Sequence, residues 1–114
     1  MTIKKLDEIL KNHKLWLNNK GGEYADLSGI DLSGIDLRYV DLRYANLSNA
    51  NLRYADLMNA NLYGANLSGT DLSGSNLSGS DLRNANLSGA DLSGSDLRNS
   101  DLTGSNLSGI NLLY

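Results

Sequence analysis

His13 is the only histidine of the 114 residues, and the chain has no cysteine. Serines are frequent, but a hydroxyl nucleophile needs a base beside it and a third group to orient that base. A lone imidazole cannot build that relay, so no enzymatic activity is expected. Without cysteine there are no disulfides and no thiolate metal sites. Asp91, Asp96 and Asp101 form an acidic run at five-residue spacing. A hard cation needs several such oxygens to converge on one point. The Ser-Gly pairs recur as turn signals at a five-residue period, and no glycine-rich loop precedes a helix to cradle a phosphate. What remains for recognition is a cluster of Arg38, Tyr39, Arg43, Tyr44, Met58 and Tyr63. Arginine and tyrosine are enriched at binding hot spots. The competing reading is that the tyrosines only stack at corners and cover backbone.

The element that must position these residues is a repeat. From Leu27 to Leu112 every fifth residue is leucine, eighteen times in succession. With leucine as position i, position i−1 is Asp or Asn in all eighteen units. Position i−2 is small or β-branched, from Ala25 through Ile30, Ile35 and Val40 to Ile110. Position i+2 is Gly in ten units, Asn in four and Tyr in four. In extended backbone, i−2 and i point to the same side, and here that side is inward. The next two residues turn the corner, with Gly or Asn supplying the positive φ at the third residue of a type II turn. Tyrosine resists positive φ, so the corners at Tyr39, Tyr44 and Tyr54 are expected to depart from that turn.

This A(D/N)LxG pattern over residues 25–114 resembles the pentapeptide-repeat family. The resemblance implies an all-β solenoid, a right-handed quadrilateral β-helix in which each unit forms one side and four units one coil. Eighteen units then make about four and a half coils, a rod about 20–25 Å long. Leucines twenty residues apart stack in columns, Leu27, Leu47, Leu67, Leu87 and Leu107 forming the first. Ser75, Ser80, Ser95, Ser100 and Ser105 place hydroxyls inside, where backbone carbonyls are expected to accept from them. The first side becomes an Asn/Ser ladder with one charge, Asp26. Asp91, Asp96 and Asp101 fall on successive sides and point apart, so no metal and no cofactor is expected. Arg38 should lie beneath Met58, and Arg43 beneath Tyr63.

The chain divides at residues 23 and 24. The segment before reads as a helix over Thr2–Asn19, with Ile3, Leu6, Ile9, Leu10, His13, Trp16 and Leu17 on its apolar stripe. Thr2 is the expected N-cap, Asp7 and Lys11 the expected ion pair, and Gly21-Gly22 the expected stop. The helix is expected to cap the N-terminal end of the repeat, with His13 as a cap residue. At the other end, Ile110, Leu112, Leu113 and Tyr114 form an apolar mouth that is expected to pair with a second copy. Dimerisation of that kind is frequent in the family the pattern resembles.

Residues 1–25 carry a net charge of +2, and residues 26–114 carry −5 from ten Asp and five Arg. The four sides hold −1, −2, −1 and −1, so charge is spread around the rod. A soluble cytoplasmic protein without direct nucleic-acid binding is expected, a structural or protein-interaction module with an unidentified protein partner. The alternative is the quinolone-resistance branch of the family, whose acidic rods imitate duplex DNA and occupy type II topoisomerases. Arginines on three sides and asparagines in every acidic column argue against it, since a mimic must match a continuous phosphate pattern.

Overall fold

The computed structural model describes residues 1–113, so Tyr114 of the expected self-association end lies outside the described residues. Parallel bridges join positions twenty apart through the whole repeat, as in Asp26–Asn46, Asn46–Asn66, Asn66–Asn86 and Asn86–Asn106. The register expected from the leucine period is therefore the observed one. Each coil contains four turns, and the leucines between Leu27 and Leu92 are buried along its axis together with the alanines at i−2. Burying one such leucine stabilises the coil by about 1.5–3 kcal/mol.

The backbone N–H groups of an interior unit are all satisfied, and the unit around Leu47 shows how. Ala45 N–H donates to Leu42 O within the turn (3.0 Å), and Asn46 N–H reaches Ala25 O in the preceding coil (2.9 Å). Leu47 and Asn49 donate forward to Asn66 O (2.7 Å) and Ser68 O (2.9 Å). The fifth donor, Ser48 N–H, goes to the Asn46 side-chain Oδ1 (3.0 Å). That bond explains the Asp or Asn in every unit. Without an acceptor at i−1, each corner would leave an orphaned backbone donor.

Two expectations about the interior and the corners need correction. Tyr39, Tyr44 and Tyr54 do not depart from the turn; they adopt φ of 61°, 63° and 58°, like the Asn and Gly corners. The left-handed region costs an L-residue about 1–2 kcal/mol, and at Tyr44 and Tyr54 packing of the ring on the next coil offsets it. Among the inward serines, Ser80, Ser95, Ser100 and Ser105 donate to the leucine carbonyl three residues back. Ser75 Oγ is buried without a partner.

Helix α1 runs Ile3–Leu17, with Thr2 accepting from Lys5 N–H at its start. It stops earlier than Gly21-Gly22. Asn19 takes φ 56°, Lys20 N–H returns to Leu15 O (2.9 Å) and Asn19 N–H to Trp16 O (3.1 Å). This pair of bonds is a Schellman closure, with asparagine where glycine is more usual. Gly22 has a different task. A Cβ there would lie 2.8 Å from the Leu15 Cβ, so glycine lets the chain pass close to the helix. Among the described residues Asp7 and Lys11 form no ion pair. The apolar stripe lies on the first coil, with Leu6 buried and Ile9 and Leu10 packed on the same core as Ile30, Ile35 and Val40.

Candidate partner-binding surface

The cluster expected from the sequence divides between two sides of the coil. On the third side, Arg38 is turned toward its own unit. Its Nε and Nη2 donate to Asp36 Oδ1 (3.0 Å) and Oδ2 (2.9 Å). These bonds, joined by the Arg38 backbone N–H, hold the Asp36 carboxyl down at about 2. Met58 is half-buried and its carbonyl accepts from Tyr39 N–H (3.0 Å), while the Tyr39 ring is exposed. Three polar or flexible groups and one isolated ring make no continuous apolar surface here.

The fourth side does form one. The rings of Tyr44 and Tyr63 meet edge-on with centroids 5.7 Å apart. The Tyr44 ring is also met by Trp16 of α1 at 6.4 Å, and Trp16 packs on Tyr24 at 5.8 Å. An aromatic run thus passes from the helix across the first coil to the second. Trp16 is 38% exposed and Tyr44 52%, so the run faces solvent. Beside it lies a shallow groove of about 470 Å³ lined by Trp16, Leu17, Asn19, Gly21, Gly22 and Tyr44.

The cation over Tyr63 is Arg83, 5.2 Å from the ring centre, and Asn84 Nδ2 donates to the Tyr63 hydroxyl at 2.8 Å. Arg43 below it is held bidentate by Asp41, at 2.9 and 2.7 Å. Arg83 is held in the same way by Asp81. Each guanidinium therefore brings its own carboxylate, and the surface is aromatic with its charges internally paired. Trp16, Tyr24 and Arg83 were not among the residues expected here. Arg83 could have been found by continuing the column from Arg43 through Tyr63 at twenty-residue steps. Trp16 could not, because its place depends on how α1 docks.

His13 fixes that docking. It is fully buried, stacked on Trp16 with centroids 5.7 Å apart, and its Nδ1 accepts from Ala25 N–H at 2.8 Å. An acceptor at Nδ1 means that the neutral ring carries its proton on Nε2. Nε2 faces the Arg43 carbonyl without a well-formed hydrogen bond to it. One coil on, the matching carbonyl, Tyr63 O, accepts from Tyr44 N–H (2.9 Å). The first coil has no coil before it, and the imidazole stands in that place.

At the far end, Leu107 is 38% and Leu112 52% exposed, and Leu113 is more exposed still. Ile110 is half-buried. No helix among the described residues is long and apolar enough to cross a membrane.

Bridges at a twenty-residue register around a leucine-filled bore define a β-solenoid built from five-residue units. The family model for pentapeptide repeats matches residues 23–53, 41–79 and 80–112, with eight copies, and the chain belongs to that family. No curated protein matches it. Among solved structures, it is similar to alr5209, a pentapeptide repeat protein from Nostoc PCC 7120, at 28% identity. That alignment covers 90% of this chain and 93% of the other, with a TM-score of 0.70. AT2G44920, a pentapeptide repeat protein from the Arabidopsis thaliana thylakoid lumen, aligns at 36% identity over 77% of this chain and 65% of its own, TM-score 0.45. QnrB1, a plasmid-mediated fluoroquinolone resistance protein, aligns at 23% identity over 82% of this chain and 50% of its own, TM-score 0.41.

Proposed function

We propose that this chain is a non-enzymatic interaction module, a right-handed quadrilateral β-helix of about four and a half coils whose N-terminal end is capped by α1. It binds a protein partner through the aromatic run on the fourth side. The observation that carries this reading is the exposed contact of Trp16 with Tyr44, continued to Tyr63. Large aromatic rings held rigid at the surface supply contact area at little entropic cost. Duplex imitation is not favoured, because Arg38, Arg43, Arg83 and Arg98 each bind the carboxylate of their own unit. The exposed leucines at the other end, with Ile110, belong to the same reading as a face for a second copy of the chain, and light scattering at rising concentration tests that face.

The test of the main surface is affinity capture with the wild type, Tyr44→Ala/Tyr63→Ala on the fourth side, and Tyr39→Ala/Met58→Ala on the third. The fourth-side variant should lose specific proteins that the other two retain. Recovery of the same proteins by all three would show the run to be packing only.

A further inference from the structure

We infer that His13 is a proton-operated latch: it holds α1 on the first coil only while its ring is neutral, and protonation releases Trp16 from the aromatic surface. This deepens the binding reading by supplying its regulation, and the latch itself stands on contacts that need no partner.

The geometry leaves no room for a charged ring. Nδ1 is the acceptor for Ala25 N–H, so a proton there sets two donors against each other and breaks the 2.8 Å bond. Nε2–H faces the Arg43 carbonyl, which favours the charged ring, but makes no well-formed hydrogen bond to it. The imidazolium would therefore be a fully buried cation that has lost its Ala25 contact and keeps only the poorly placed Arg43 carbonyl, a state that is relieved by moving the ring into water. The ring cannot leave alone. It is stacked on Trp16 and sits mid-helix between Leu6 and the end of α1, so the helix must lift with it.

The charged groups facing the imidazole from the first coil are Asp41, which favours its protonation, and Arg43, which opposes it. Those two are bound to each other. Residues one helical turn from His13 on α1 are Ile9, Leu10, Trp16 and Leu17, and the returning strand presents Ala25 N–H. Burial is the largest influence and lowers the ring below its ordinary 6.5. The docked state therefore binds fewer protons than the undocked one. Docking is intact above the ordinary histidine value and is lost as pH falls below it. The aspartates of the first coil titrate lower than this window: Asp26, Asp31, Asp36 and Asp41 are all held below 3.8. His13 is the only histidine, and a variant without its ring assigns the transition to it.

Amide hydrogen exchange, corrected for its intrinsic pH dependence, tests the latch at about pH 7.5 and about pH 5. In the wild type, protection of α1 should fall by about tenfold per pH unit once the ring titrates, while the interior coils keep theirs. His13→Asn retains an oxygen to accept from Ala25 N–H and cannot titrate, so its α1 should be protected equally at both pH values. Unchanged wild-type protection, or an equal fall in His13→Asn, overturns the latch. If His13→Asn fails to dock at either pH, the nuclear magnetic resonance titration of the wild-type ring decides. A midpoint below 6.5 coinciding with loss of α1 protection supports the latch; a ring that titrates with α1 still docked overturns it. Failure of the capture experiment would remove the binding reading and leave these outcomes untouched.

Discussion

The Cδ1–Cε1 edge of the Tyr44 ring lies against Gly64, the residue twenty positions on: a Cβ added to Gly64 would sit 2.7 Å from Tyr44 Cδ1 and Cε1. The same relation joins Tyr54 to Gly74, and the side chains of Asn49, Asn59 and Asn84 to Gly69, Gly79 and Gly104. In these five pairs a bulky corner in one coil is answered by glycine in the next; Tyr39, followed by Asn59, is not. The glycine thus does two things, taking positive φ and leaving space for the neighbour below.

Gly64→Ala should separate these effects. Its φ is +67° and the methyl would enter the Tyr44 ring, so a loss of about 2–4 kcal/mol in urea unfolding is expected. Gly89 has nearly the same φ, +69°, but a Cβ there meets only Gly69 N at 4.0 Å. Gly89→Ala should therefore cost about 1 kcal/mol, the backbone strain alone. Adding Tyr44→Ala to Gly64→Ala should recover part of the difference. Equal losses at both glycines would show that the ring exerts no steric demand.

The acceptor at i−1 gives a second expectation. Asn66 Oδ1 accepts from Ser68 N–H (3.1 Å) and from Ser68 Oγ (2.7 Å). Asn66→Ala orphans the backbone donor and should lower stability by about 1–3 kcal/mol. Asn66→Asp keeps the acceptor and should stay within about 1 kcal/mol of the wild type. Thermal unfolding followed by circular dichroism distinguishes the two. If alanine is tolerated as well as aspartate, solvent satisfies the corner and the Asp/Asn rule has another cause.

The period of five made much of this fold readable, because a leucine column allows only one register: a slip of one residue would turn Leu47 outward and Asn46 inward. It also placed Arg43 and Tyr63 in one column. The reason for Asn46 and its seventeen equivalents was less visible, since the bond is made by a backbone N–H two residues away and a sequence shows only that the position is polar. Local propensity does not give the conformation of Tyr44; the ladder bond to Tyr63 O sets it, as the bond to Met58 O does at Tyr39, and Gly64, twenty residues on, leaves room for the ring. That pairing was present in the sequence as a column and needed only to be read across coils. The Trp16–Tyr44 contact was not present in any such form. It depends on the angle at which α1 returns, set by Asn19 in the left-handed region and by Gly22 against Leu15.

Ser75 offers a gain. Its Oγ is buried with no hydrogen-bond partner, and its residue one coil earlier is Ala55, itself buried. Ser75→Ala removes an uncompensated hydroxyl from a column that already accepts alanine. Stability should rise by about 1 kcal/mol. Ser80→Ala is the control, because Ser80 Oγ donates to Leu77 O at 2.7 Å and its removal should bring no gain. A loss at Ser75 as large as that at Ser80 would mean that its hydroxyl is satisfied in solution.

Removing residues 1–20 tests what α1 contributes to the repeat. The helix covers the core at Leu6, supplies the acceptor for Ala25 N–H through His13, and packs Ile9 and Leu10 where Ile30, Ile35 and Val40 line the first coil. Without it those apolar side chains and the first ladder edge meet water, and an uncovered edge is a template for pairing with other chains. The truncated chain should aggregate, or melt well below the intact one, in light scattering and thermal unfolding. Trp16→Ala in the full chain should do neither to the same extent, since Leu6 and the His13–Ala25 bond remain. A truncated chain that stays monodisperse and as stable as the full one would show that the first coil closes its own end, and that α1 serves only to carry Trp16 to Tyr44.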